Sequence, residues 1–215
     1  MAAAPGERFV YYADNRNFPY GERSVEEVRA LVIDATSRLI ELAAPRTVVI
    51  ACNTASVVAL DALRDRFDVP FVGVVPAIKP AAEIVGPGRI GVLATARTVE
   101  DRYVARLIRT FAPNNEVELV AAGGLVELIE QRLGSFSRAE LREALARPTS
   151  QLLQAGVEAV VLGCTHFIHV RQDVQRLLGD HTRVIDSVDG VVRQTLRVAG
   201  APARSASPAR ERARS

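Results

Sequence analysis

Short runs of aliphatic and β-branched residues alternate along the chain with longer stretches that mix apolar and charged positions. The short runs Phe9 to Tyr12, Thr47 to Ala51, Phe71 to Val74, Arg89 to Ala94, Glu116 to Ala121, Ala159 to Gly163 and Arg183 to Asp186 are expected as strands. TVVIA, RIGVLA and AVVLG are apolar at nearly every position, whereas a strand with one wet face would alternate. They read as strands covered on both faces of a parallel sheet. Helices are expected over Ser24 to Ala43, Thr54 to Arg66, Ala77 to Val85, Val99 to Thr110, Gly124 to Leu133, Ser137 to Ala155 and His169 to Leu178. Ser24 with Glu27 three residues on forms a capping box that opens the first of these. Strand–helix alternation of this kind defines an α/β architecture with right-handed crossovers.

Two features organise the chain further. Gly86-Pro87-Gly88 punctuates the middle and reads as a boundary between two α/β units. Across it runs an echo: Val48-Val49-Ile50-Ala51-Cys52-Asn53-Thr54 resembles Val160-Val161-Leu162-Gly163-Cys164-Thr165-His166. In both, an apolar strand ends in a cysteine and two polar residues begin the next helix. Two equivalent units facing each other would bring both strand ends to one cleft. Residues 200–215 (GAPARSASPARERARS) lack apolar periodicity and are expected to be disordered.

Composition narrows the chemistry. With 48% hydrophobic residues, 5% aromatic and no Trp, the core must be built from Ala, Val, Leu and Ile. Lys79 is the only lysine; every other cationic side chain is arginine. Followed by Pro80, it belongs to no phosphate-binding loop, and it is the sole candidate for a pyridoxal phosphate imine, which argues against both. A net charge of +2, partly carried by the tail, gives no basic face for nucleic acid. No apolar run approaches the ~18 residues of a membrane span, and MAAAPGERF does not read as a leader. Two cysteines suit a reducing cytoplasm. Gly86-Pro87-Gly88-Arg89-Ile90-Gly91 matches a dinucleotide fingerprint by letter but precedes a strand instead of following one, so it is set aside.

The candidate chemistry rests on Cys52 and Cys164. Ligands of open α/β sheets bind beyond the carboxyl ends of strands, where both thiols are expected, each before a helix whose N–H groups favour a thiolate. Cysteine also packs as a small apolar residue, but two in matching contexts are better explained by function. A structural disulfide conflicts with the reducing setting. Inverting a carbon stereocentre fits: a planar carbanion loses a proton on one face and gains one on the other, so two acid/base groups must flank it. Asn53-Thr54 and Thr165-His166 supply donors for a carboxylate, and His166 could share a proton with Cys164. Tyr20-Gly21 follows the first strand and is a further cleft candidate. Cys164, His166 and His169 crowd one turn and lack a fourth partner, so no metal is expected.

The stretches YYADNRNFPYGERS, VVIACNTAS, GVVPAIKPA, RIGVLATARTV, VVLGCTHF and VIDS resemble, in order and spacing, the glutamate racemases of the aspartate/glutamate racemase superfamily. The resemblance runs from about Phe9 to Val198. It implies a cofactor-independent isomerase that interconverts L- and D-glutamate for peptidoglycan and cell shape. It also implies two pseudo-symmetric domains, residues 1–87 plus 186–199 and residues 88–185, with mainly parallel sheets and the site between them. On this resemblance Cys52 and Cys164 are the acid/base thiols, with His166 assisting. Tyr20, Gly21, Asn53, Thr54, Thr165 and His166 bind the amino acid, and Glu130 supports His166. The expected partner is the small-molecule substrate, without nucleic acid or membrane; a homodimer stays open. Two departures stand out. No Asp-Ser-Gly-x-Gly-Gly strand precedes YYAD, which is expected to leave Phe9 to Tyr12 and Thr47 to Ala51 without a shared neighbour. Phe167-Ile168 also replaces the usual Tyr-Pro after Cys-Thr-His. An aspartate or hydantoin racemase, or a catalytically silent amino-acid-binding relative, are the alternatives.

Overall fold

The computed structural model describes residues 4–132 and 135–200; all but the first residue of the tail expected to be disordered lies outside them. Two short 3-10 turns, Asn15–Asn17 and Tyr20–Glu22, lead into α1 (Val25–Ala43). Then follow β1 (Val48–Ile50), α2 (Asn53–Arg66), β2 (Phe71–Gly73) and α3 (Ile78–Val85). The middle of the chain forms β3 (Arg89–Ala94), α4 (Ala96–Val99), α5 (Arg102–Phe111), β4 (Glu116–Ala121) and α6 (Gly123–Arg132). The remainder supplies α7 (Arg138–Gln154), β5 (Ala159–Leu162), a 3-10 turn (Thr165–Val170), α8 (Arg171–Leu178), β6 (Arg183–Ile185) and α9 (Val188–Ala199).

The strands form two parallel sheets, β1-β2 and β4-β3-β5-β6. The uniformly apolar runs lie where such runs must: β3 and β5 are interior strands, and every residue of β5 is buried. β4, on an edge, is mostly exposed or half-buried. Val28, Val32, Leu60 and Leu63 of α1 and α2 share a core with β1 and β2. Leu125, Ile129, Leu145, Leu152 and Phe167 form another beside the larger sheet, and Ile78 of α3 joins Ile90, Val92 and Val161 in a third. This is the expected α/β class with mainly parallel sheets. The Gly86 to Gly91 letters do lead into a strand, since α3 ends at Val85 with Gly86 as its C-cap and β3 begins at Arg89.

The capping box at Ser24 forms as expected: Ser24 Oγ accepts from the Glu27 N–H at 3.2 Å and the Glu27 carboxylate accepts from the Ser24 N–H at 3.1 Å. Three expectations change. Phe9 to Tyr12 is not a strand; it runs unpaired, with Tyr11 89% exposed. Strand propensity counts only where a neighbour completes the ladder, and this segment has none. The helix expected over Val99 to Thr110 is two helices, because Asp101 accepts from the Tyr103 N–H at 2.8 Å and so starts α5 afresh. Helix α9, not marked out in the sequence, returns the chain to β2, and Ser187 Oγ donates to the Val75 carbonyl at 2.7 Å.

Candidate active site

The echo in the sequence becomes an echo in the backbone. Cys52 stands between β1 and α2 with φ −142° and ψ 128°; Cys164 stands between β5 and the Thr165–Val170 turn with φ −140° and ψ 134°. Each begins the element that follows, its carbonyl accepting from the N–H of Ser56 (2.9 Å) and of Phe167 (3.1 Å) respectively. Extended residues at these positions direct free N–H groups of the next turn toward their own side chains.

Both thiols line one cavity of about 670 Å³. Tyr20, Gly21, Asn53, Thr54, Glu130, Thr165 and His166 line it too, so all nine residues selected from the sequence are brought together. Among the described residues no group of three or more His, Cys, Asp or Glu is arranged to hold a metal ion.

Burial dominates the electrostatics of the thiols. It pushes Cys164 up from the ordinary 9.0 to about 12, against backbone N–H groups of His166 and Phe167 that favour the thiolate. Ionised Cys52 would raise it further, which expresses their sharing of one cavity. Burial also raises Cys52, opposed by the backbone N–H groups of Ala55 and Thr54 and by the Thr54 hydroxyl. Both sulfurs are therefore protonated at neutral pH, each with donors in place to stabilise an anion.

His166 sits at the hub of a relay. Its Nε2 lies 2.7 Å from Glu130 Oε2, and its Nδ1 lies 3.7 Å from Cys164 Sγ. A carboxylate can only accept, so Nε2 donates to Glu130 and Nδ1 is the ring nitrogen that faces the thiol. Glu130 reaches this position from α6. On the other wall, Tyr20 donates to Asp14 Oδ2 at 2.6 Å. Burial and this bond raise the phenol's pKa, so Tyr20 stays neutral. A Cβ on Gly21 would lie 3.0 Å from Thr95 Cγ2, so any side chain there would press on Thr95.

Several lining residues escaped the sequence reading. Thr95 follows β3 as Cys52 follows β1, a strand-end position that could have marked it. Its hydroxyl lies 3.1 Å from that of Thr54 and 3.0 Å from that of Thr98, and Thr54 and Thr98 are 3.2 Å apart: a closed ring of buried hydroxyls. Asp14 and Phe18 also line the cavity, and Phe18 lies with its ring centroid 6.0 Å from that of His166. Asn53 Oδ1 is buried without a hydrogen-bond partner.

Two parallel sheets, each with a cysteine beyond a strand end on one shared cavity, define an α/β protein with paired thiols. Residues 1–195 match the Asp/Glu/Hydantoin racemase family, and the chain belongs to that family. A glutamate racemase of Herpetosiphon aurantiacus is 42% identical over 200 residues, spanning 93% of this chain and 78% of the relative. Among solved structures, Escherichia coli glutamate racemase in complex with L-glutamate and the activator UDP-MurNAc-Ala is similar with a TM-score of 0.78 at 40% identity, covering 90% of this chain and 74% of that one. Glutamate racemase from Francisella tularensis in complex with D-glutamate also gives a TM-score of 0.78, at 26% identity, over 92% of this chain and 73% of that one.

Proposed function

We propose that this protein interconverts L- and D-glutamate by proton transfer between Cys52 and Cys164. The observation that carries the reading is the pair of thiols in equivalent backbone settings on one cavity, and the similarity to glutamate racemases named above supports it. One thiolate removes the α-proton, leaving a planar carbanion. The opposite thiol donates its proton to the other face and becomes the thiolate, so the two sulfurs exchange roles with each turnover. Both proton carriers belong to the chain, and the reaction as written needs no cofactor.

The raised thiol pKa values require help to form the thiolate. The ammonium group of the amino acid supplies positive charge inside the cavity, which favours an adjacent anion. His166 Nδ1 accepts the Cys164 proton, and Glu130 stabilises the resulting imidazolium through Nε2. The unpartnered Asn53 Oδ1 is an acceptor for the ammonium. The hydroxyls of Thr54 and Thr165 and the N-terminal N–H groups of α2 suit the carboxylates. The smaller sheet with α1, α2 and the returning α9 makes up one domain. Helix α3 packs on the larger sheet and goes with the other, so the boundary lies before α3 and not at Gly86 to Gly88, and the cavity is the cleft between the two. The enzyme works in the cytoplasm, where D-glutamate serves peptidoglycan synthesis.

The deciding experiment incubates purified protein with each glutamate enantiomer in deuterium oxide. Loss of optical rotation with α-deuterium in the product is expected. No α-proton exchange from either enantiomer would overturn the reading. Turnover of aspartate or a hydantoin in place of glutamate would keep the thiol pair and reassign the substrate.

A further inference from the structure

His166 can serve Cys164 only while its ring is correctly turned. At 3.7 Å the Sγ to Nδ1 approach is long enough that a modest rotation of the imidazole breaks it. Glu130 fixes one corner of the ring, at Nε2, and leaves rotation about that contact free. Phe18 lies against the ring, its plane tilted 48° to it with centroids 6.0 Å apart, within the range of favourable aromatic pairs.

Phe18 arrives from a different part of the molecule. It lies between the two 3-10 turns that precede α1, in a segment built around polar anchors. Asp14 accepts from Asn17 Nδ2 at 2.9 Å and from Tyr20 at 2.6 Å, and Arg23 Nε donates to the Asn17 carbonyl at 3.0 Å. Phe18 itself belongs to none of the hydrophobic cores and remains partly exposed. Core packing therefore does not account for an aromatic side chain at this point; the contact with His166 does.

We propose that Phe18 is a positioning residue: it holds the His166 ring with Nδ1 facing Cys164 and so makes proton transfer on the Cys164 face depend on the docked 14–22 segment. The inference rests on the two-thiol reading above. Its consequence is one-sided. Among the described residues no imidazole is hydrogen-bonded to Cys52, so loss of Phe18 affects the direction in which Cys164 acts as the base more than the opposite one. The equilibrium constant between enantiomers is fixed, so kcat/KM must fall equally in both directions. The asymmetry appears in the individual kcat values and in the α-deuterium isotope effects.

The test compares the wild type with Phe18→Ala and Phe18→Tyr. In Phe18→Ala, kcat is expected to fall about tenfold in one direction and much less in the other, a fraction of what a general acid or base contributes. Phe18→Tyr, which keeps the ring, restores it. Nitrogen-15 spectra of the imidazole, recorded without substrate, provide a second readout: the wild type shows one tautomer with the proton on Nε2, and Phe18→Ala shows a mixture. An unchanged tautomer in Phe18→Ala overturns the proposal, as does an equal change of kcat in both directions. If the wild type failed to racemise glutamate, the racemase reading would fall while the spectra still decided whether Phe18 sets the ring.

Discussion

At the scale of single residues, the two thiols are chemically alike and electrostatically coupled, so neither can replace the other. Cys52→Ala is expected to abolish racemisation from both enantiomers while leaving α-deuterium wash-in from the one whose proton Cys164 reaches. Retention of most two-way activity, measured by chiral chromatography, would remove Cys52 from the chemistry. The raised pKa of Cys164 has a consequence for stability. Above its ordinary value of 9.0 the unfolded chain releases the thiol proton, whereas the folded protein holds it until about 12. The folded state then binds more protons, so stability that is complete below pH 9 is lost as pH rises through that window, by about 1.4 kcal/mol per pH unit for one proton. Urea titrations of wild type and Cys164→Ala should diverge on the alkaline side and run parallel at neutral pH. Parallel behaviour at pH 10 and above would contradict the buried-thiol account.

Elements set how firmly those residues are held. Cys164 is carried by the end of β5, where the Gly163 N–H donates to the Leu93 carbonyl at 2.8 Å and a Cβ on Gly163 would lie 2.9 Å from Ala94 Cβ. Ala94 is short and fixed to the backbone of β3, so it cannot turn aside. Gly163→Ala should force the ends of β3 and β5 apart, at a cost of about 1–3 kcal/mol in chemical denaturation. It should also lower kcat by displacing Cys164; unchanged stability and activity would show that the strands tolerate the methyl. The same strands explain what the sequence disclosed. β3 and β5 were legible because a strand covered on both faces is apolar throughout, a local property. Phe9 to Tyr12 was misread because pairing is not local: the residues suit a ladder, and no neighbour is there to form one. Asp101 is itself a start signal, but it stands inside a stretch that reads as one continuous helix, and α9 is not marked out in the sequence. Within the site, Cys52 and Cys164 were legible through their repeated context. Phe18 and Asp14 were not, since nothing in the local pattern reports a contact with a ring or hydroxyl elsewhere.

For the molecule as a whole, the smaller sheet is the exposed flank. Among the described residues β1 pairs with β2 on one side alone, and Val49 in its centre is 37% exposed. Nearby in sequence to the cavity segment, Phe9, Val10, Tyr11 and Tyr12 lie open to solvent in an unpaired run. Free strand edges and exposed strand-forming segments promote association between chains. Light scattering should therefore show association that grows with concentration, and Val10→Lys combined with Tyr11→Lys should suppress it without changing the far-ultraviolet circular dichroism. A wild type that stays monodisperse and monomeric at high concentration would refute this.

The ring of Thr54, Thr95 and Thr98 joins α2, which follows the smaller sheet, to α4, which follows a strand of the larger one. Thr95 donates to Thr98, and the circuit closes through Thr54. Either oxygen can donate in the two Thr54 contacts; with the three O–H groups pointing head to tail around the ring, their dipoles would cancel and contribute almost no field to the cavity. A carboxylate oxygen that captures the Thr54 hydrogen opens the circuit. The same three groups then form a line, Thr95 to Thr98 to Thr54 to ligand, each polarising the next. On the proposed reaction, a substrate carboxylate bound at Thr54 would create the dipole that holds it, with no movement of heavy atoms required.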